Sequence, residues 1–242
     1  MKPSVQPLEA PAQVNVKQVN HLAIIPDGNR RWARQHGLTS QAGHQYSFTT
    51  VAPELIAHCW QQGIHTVTLW LFSTENWKRT PTEVAHLMQI YHDMLQLLLP
   101  VAAEHQACLK HLGRADRLPQ HLQRVMAHAQ QQTAGHTRRQ FNFALDYGGQ
   151  DEISRAAQKM AQSPYPGNSQ CLASWLDTAH DQYPNPDVVV RTSGQVRTSG
   201  FMIWQTAYSE YFFIDKHFPA FTCHDLDTVV GNYQKRSRTY GR

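Results

Sequence analysis

Along this chain, short apolar runs alternate with longer stretches of helical spacing. The first run, Leu22-Ala23-Ile24-Ile25, has the composition of a fully buried strand, and Pro26 ends it because proline has no amide to donate. From Gln41 to Gln62, Phe48, Val51, Ala52, Leu55 and Cys59 predict a helix that Pro53 kinks or restarts. Gly63 closes it, and His65 to Phe72 has the β-branched and aromatic content of a strand. Thr82 to His105 predicts a long helix with Val84, Leu87, Met88, Tyr91, Leu95 and Leu98 on one broad stripe. The pattern then predicts a strand from Ala107 to Leu112, a helix from Asp116 to Gln132 and a strand from Gln140 to Leu145. A helix from Asp151 to Gln162, a loop from Ser163 to Asn168, a short helix at Leu172 to Thr178 and a buried strand from Asp187 to Val190 follow. Such alternation predicts one α/β domain with a mostly parallel sheet covered on both faces.

In sheets of this kind ligands bind beyond the carboxyl ends of the strands. Asp27, Ser73 to Arg79, Tyr147 to Gly149 and Arg191 all fall at that edge. Asp27-Gly28-Asn29 is a tight turn leading into a helix that carries Arg30, Arg31 and Arg34. Free amides, guanidinium groups and a carboxylate suit a diphosphate with a divalent cation, although an ordinary strand-to-helix turn uses the same residues. After the strand at 187–190, RTSG occurs twice, at Arg191 to Gly194 and at Arg197 to Gly200. Two arginines among hydroxyls suit a polyphosphate, with a solvated loop as the alternative. Glu210 interrupts the apolar stretch from Trp204 to Ile214, as a structural acid or as a metal ligand complementing Asp27. The apolar stripe of the long helix reads equally as core or as the wall of a tunnel for an apolar ligand.

Composition narrows this picture. With 242 residues, a formal charge of +4 and a pI near 8.9, the chain admits an acidic small-molecule substrate without requiring nucleic acid, for which it lacks a basic stripe interleaved with aromatics. Cys59, Cys108, Cys171 and Cys223 are scattered and form no CxxC pair, which fits the reducing cytoplasm. The 15 histidines include no HExxH spacing. Residues 1–20 predict a disordered lead-in without the apolar core of a signal peptide, and no run is long enough to span a bilayer, leaving at most peripheral membrane contact.

Five stretches in order, HLAIIPDGNRRWA from His21, LFSTENWKR from Leu71, DYGGQDEI from Asp146, VVVRTSGQVRTSGFMIWQ with AYSEYFF from Val188, and YQKRSRTYG from Tyr233, resemble the cis-prenyltransferases, the undecaprenyl diphosphate synthase family. The resemblance covers His21 to about Gly241. It implies a single α/β domain over 21–242, with a central, mostly parallel six-stranded sheet flanked by helices, and a homodimer. The implied reaction joins isopentenyl diphosphate to an allylic diphosphate with formation of a Z double bond. The resemblance makes Asp27 the Mg²⁺-binding carboxylate, completed by Glu210 from the neighbouring subunit's shared dimer region. Gly28, Asn29, Arg30, Arg31, Trp32 and His44 would hold the allylic diphosphate, and Asn76 with Ser73 would lie near the reacting carbons. Glu75, Trp77 and Arg79 would bind substrate, with Trp77 and Glu83 in a closing loop and helix. Arg191, Arg197 and Ser199 would hold the diphosphate of isopentenyl diphosphate.

The chain departs from the family's common pattern at Ser40, where an arginine is usual nearby, and at Gln150, Gln195, Val196 and Gly200. Relatives that couple two dimethylallyl units head-to-middle, in the lavandulyl manner, also lack the acidic residue at the position of Gln195, and silent relatives serve as dimer partners. Regular elongation is the first expectation because Ser73, Glu75, Asn76 and Trp77 are intact. Bulky Leu71 and Trp70, with Leu87, Met88, Tyr91 and Leu95 along the helix, predict a tunnel that closes early and a short product.

Overall fold

The computed structural model describes residues 17–163 and 172–236. The lead-in up to residue 16, most of the loop expected at 163–168 and the last residues of the arginine-bearing tail lie outside them. Six strands form one sheet: β1 (His21–Ile25), β2 (Thr66–Ser73), β3 (Ala107–Leu112), β4 (Arg139–Tyr147), β5 (Val188–Arg191) and β6 (Glu210–Phe213). Their order is β3-β4-β2-β1-β5-β6, and every neighbouring pair is parallel.

β1 is wholly buried, and its alternation divides the interior. Among the described residues the helices are α1 (Asn29–Gln35), α2 (Ser40–Tyr46), α3 (Ala52–Gln61), α4 (Pro81–Glu104), α5 (Gln120–Thr133) and α6 (Gly149–Gln162), followed by a seventh at the end. Leu22 and Ile24 face the main core, built with α3, α4 and α5, whereas Ala23 and Ile25 join a smaller cluster with Tyr147, Phe201 and Met202. β1 has β2 on one side and β5 on the other, so the chain order changes direction there. A crevice at the carboxyl ends of β1 and β5 is the consequence.

Several boundaries differ from the sequence reading for identifiable reasons. Pro53 does not kink a continuous helix; a π-helical turn at Ser47–Val51 separates α2 from α3, and Pro53 falls in the first turn of α3, where its missing N–H costs nothing. α5 starts later than Asp116 because Pro119 occupies its N-cap. The polar stretch after β2 is a 3₁₀ turn, Thr74–Lys78, closed by a capping box between Ser73 and Asn76. The helix α7 (Cys223–Lys235), begun by a Thr222–Asp225 capping box, has no counterpart in the sequence reading. Residues 17–20, read there as part of the lead-in, are fastened to the fold. Val19 is buried, Lys17 pairs with Glu210 at 2.5 Å, and the amides of Asn20 and His21 donate to Asp187 Oδ2 at 2.8 and 3.0 Å.

The stripe of α4 is core. Met88 and Leu95 are completely buried among other apolar side chains, so neither lines an open tunnel, while Leu87 reaches a cavity of about 280 Å³ between α2 and α4. Helical periodicity is the same for a packed face and a lining face, which is why the sequence could not separate them.

Candidate active site

The loop after β1 is fixed through its backbone. Asp27 N donates to Ile25 O and to Thr192 Oγ1, each at 2.9 Å, while Thr192 Oγ1 donates to Asp27 O at 2.7 Å and Phe218 N to the same oxygen at 3.0 Å. Gly28 has φ +100°, and a Cβ there would lie 2.6 Å from His217 Nδ1 and 2.7 Å from Ser193 Oγ. Only glycine fits that conformation and that space. Ser193 itself has φ +78° and its hydroxyl is 2.7 Å from His217 Nδ1, so three loops meet behind Asp27. Asn29 turns inward, donating to Pro26 O at 3.1 Å and accepting from Ser47 Oγ at 2.9 Å, so it shapes the turn more than it offers a free donor.

The Asp27 carboxylate joins the two arginine-bearing segments. Its Oδ1 accepts from Arg31 Nη2 at 3.2 Å and its Oδ2 from Arg191 Nη2 at 3.0 Å. Arg191, at the end of β5, is 5% exposed and also donates from Nη1 to Arg197 O at 2.6 Å and Ser199 Oγ at 2.7 Å. Its Nε is buried without a partner among the described residues. A cavity of about 320 Å³ opens on this cluster, with Asp27, His44, Ser73, Glu75, Asn76, Arg79, Arg191 and Ser199 at its polar rim and Phe48, Leu71 and Tyr91 at its floor. A second, of about 330 Å³, shares Asp27, His44 and Arg79 with it and adds Gly28, Arg30 and Arg31.

His44 faces both spaces. It is 7% exposed, and neither ring nitrogen has a partner among the described residues. Burial, then the charges of Arg79 and Arg30, lower its pKa from 6.5 to about 3, so the ring stays neutral at physiological pH. A neutral, orphaned imidazole between guanidinium groups is a donor held ready for an anionic ligand, since burying it unbonded is unfavourable. Glu83 takes Arg79 at 3.2 Å and lies 3.8 Å from Arg30, leaving the rim with surplus positive charge. Burial would raise the pKa of Glu75, but its own backbone amide, the hydroxyls of Ser73 and Thr74 and the charge of Lys78 outweigh it and lower the value.

Not every residue expected at the site faces it. The Trp32 ring stacks on His36 and Tyr46, with centroids 4.3 and 5.3 Å away, outside both cavities. Arg197 is exposed and donates to Gln195 Oε1 at 2.6 Å, so only its carbonyl contributes, as an acceptor for Arg191. Trp77 points its indole N–H at Asp146, not at the cavity. Glu210 opens β6 level with Val188, at the amino edge of the sheet, where Lys17 and Arg236 bind it. It cannot share a metal with Asp27 of its own chain. Conversely, Thr192, Ser193, His217, Asp146 and Arg117 support the site without having been assigned a role there; the first two lie in the RTSG segment and Asp146 opens the DYGG stretch, whereas nothing in the sequence marks His217 or Arg117.

Among the described residues no group of three or more His, Cys, Asp or Glu side chains converges as a metal cage. Asp27, in a cavity rimmed by arginines, nonetheless fits Mg²⁺, which is commonly held by one or two carboxylates together with phosphate oxygens and water. Among those residues no helix is long and apolar enough to cross a membrane.

Known proteins resemble this chain in sequence and in fold. The chain is 38% identical over 228 residues to an isoprenyl transferase of Bacillus anthracis, covering 91% of this chain and 87% of that one. Its fold matches lavandulyl diphosphate synthase from Lavandula x intermedia, solved with dimethylallyl diphosphate, at TM-score 0.88 and 33% identity, over 93% of this chain and 98% of that one. It also matches a "probable undecaprenyl diphosphate synthase" from Campylobacter jejuni at TM-score 0.76 and 26% identity, over 93% and 100%. The family model for undecaprenyl diphosphate synthase matches residues 25–241, and with that match the chain belongs to the undecaprenyl diphosphate synthase family, as a prenyl-transferring enzyme.

Proposed function

We propose that this enzyme uses Mg²⁺ to condense an allylic diphosphate with isopentenyl diphosphate, giving a short Z-prenyl diphosphate. The observation that carries the reading is the pair of adjoining cavities meeting at Asp27 and His44, one rimmed by Arg30, Arg31 and Arg79 and the other by Arg191 and Ser199. The first set receives the allylic diphosphate, and Arg191 with Ser199 receives the second. Asp27 would hold Mg²⁺, which would supply neutralisation of the charge that develops on the departing diphosphate. The chain's own part is placement: the arginines and neutral His44 bind the departing diphosphate, Asn76 lies beside the reacting carbons, and Phe48, Leu71 and Tyr91 keep the carbon chain away from water. The new C–C bond forms at the alkene terminus as the allylic C–O bond breaks, leaving the positive charge on the methyl-bearing carbon, and loss of a proton from the methylene on its other side completes the new double bond.

The buried, bulky side chains of Phe48, Leu71 and Tyr91 in the cavity's apolar lining support a short product. Exposed Val196, Ile203, Trp204 and Tyr208, in the segment that connects β5 to the edge strand β6, support a homodimer. The free thiols of Cys59, Cys108 and Cys223 support a cytoplasmic setting. A second reading, head-to-middle coupling of two dimethylallyl units, is favoured by the likeness to lavandulyl diphosphate synthase and by the engagement of Arg197 with Gln195. The test is incubation with Mg²⁺, labelled isopentenyl diphosphate and dimethylallyl, geranyl or farnesyl diphosphate, read by mass spectrometry. Label in a linear Z product is expected. A branched product from dimethylallyl diphosphate alone selects the second reading, and no pyrophosphate release with any primer leaves the chain a silent dimer partner.

A further inference from the structure

Asp146 ends β4 with φ +49° and no exposed surface, a left-handed conformation that a non-glycine residue keeps only when its surroundings fix it. Its carboxylate is fully engaged. Oδ1 accepts from the Trp77 indole Nε1 at 2.8 Å and from Arg117 Nη2 at 2.5 Å, and Oδ2 accepts from Arg117 Nε at 2.7 Å. The Arg117 guanidinium lies 5.9 Å from the centre of the Trp77 ring, whose other contact is an edge-on meeting with Phe72 at 5.1 Å. None of the three side chains lines the cavity at Asp27.

Their leverage comes from where Trp77 sits. It belongs to the Thr74–Lys78 turn, directly after Glu75 and Asn76 and two residues before Arg79, all three of which do line that cavity. Within the turn, Ser73 and Asn76 satisfy one another, which sets its local shape but not its position relative to the sheet. The indole bond to Asp146 fastens it to β4, and the planar fork of Arg117 prevents that carboxylate from rotating.

We propose that Asp146 and Arg117 are positioning residues for the reaction: acting through the Trp77 indole, they hold the Thr74–Lys78 turn so that Asn76 and Glu75 already face the cavity when substrate enters. The inference rests on the reading of Asn76 as a residue beside the reacting carbons. It assigns a task to the DYGG segment that the phosphate-binding groups leave unused.

The test combines steady-state kinetics with amide hydrogen exchange on the full chain. D146A lowers kcat by at least about tenfold, inside the on-the-order-of 10²-fold range that small misplacements cost, and changes KM by no more than about twofold. W77F, which removes the N–H and keeps the aromatic bulk, lowers kcat in the same sense, and the double variant is no worse than the poorer single. D146N retains an oxygen for the indole and recovers most of kcat. In D146A and W77F the amides of 74–78 exchange faster while those of β1 and β2 keep their protection. Wild-type kcat in W77F with unchanged exchange at 74–78 overturns the proposal, as does multiplication of the two single effects, and W77F decides the matter if D146A fails to fold. Absence of any prenyl product from the wild type removes the reading of Asn76 and the catalytic half of the proposal with it, whereas the exchange result judges the clamp independently.

Discussion

Two buried histidines make stability depend on pH below neutrality. His21, wholly buried between Tyr183 O at 2.8 Å and Thr68 Oγ1 at 2.7 Å, has its pKa lowered from 6.5 to about 3 by burial, against which the bond to the Tyr183 carbonyl works, with His65 adding to the lowering. His44 is lowered to the same region. The folded chain therefore refuses protons that the unfolded chain accepts below about 6.5, so the unfolded state binds more protons and stability falls as the pH drops. The loss approaches about 1.4 kcal/mol per pH unit for each histidine and levels off near the folded value. Urea unfolding at pH 7.5 and 5.5 measures it: the free energy falls in the wild type and falls less in H44N. Equal stability at the two pH values contradicts the assignment. At this scale the sequence brought Asp27, Gly28 and Arg191 to one edge because chemistry and turn geometry coincide there, whereas His44 came only through the family resemblance. The sequence was uninformative where one side chain acts through another, as at Arg117 and His217, because their partners are distant along the chain.

Strands and long helices were legible because each must bury a defined face. β1, β2, β3 and α4 lie within a residue or so of their predicted limits. β6 and α7 were not, since Glu210 breaks the apolar signal of the first and the second is largely polar. The role of α4 was undecidable from periodicity alone, and its stripe serves two surroundings: Met88 and Leu95 pack in the core, while Tyr91 donates from its hydroxyl to Leu71 O, stands edge-on to Phe48 at 5.3 Å and lines the cavity with them. Leu71 is 5% exposed, so L71A removes buried volume at a cost of about 2–5 kcal/mol and deepens the space available to the growing chain. Mass spectrometry of products is expected to show a shift to longer chains together with a lower Tm. A lower Tm with the same product length means that the floor lies elsewhere.

An all-parallel sheet gives the molecule two unlike edges. The carboxyl edge gathers Asp27, Arg191, Asn76 and the arginines of the first helix, and the amino edge carries Glu210 between Lys17 and Arg236. Burial would raise the Glu210 pKa, but bonds from Lys17 and Arg236 lower it, so this carboxylate is a charged group at the edge facing away from its own active site. If Glu210 serves the same metal as Asp27, as the family resemblance implies, it does so across the subunit boundary of a homodimer. D27A and E210Q chains are then each inactive as homodimers. Unfolded together and refolded, half the dimers pair one of each, and in such a pair one site carries both changes while the other carries neither. The mixture is expected to regain roughly a quarter of wild-type turnover, as random pairing in a two-fold dimer requires. Recovery at that level places the two carboxylates on different subunits of one site. A mixture that stays inactive excludes the shared site, and an E210Q enzyme with full turnover returns Glu210 to a purely structural role at the sheet's amino edge.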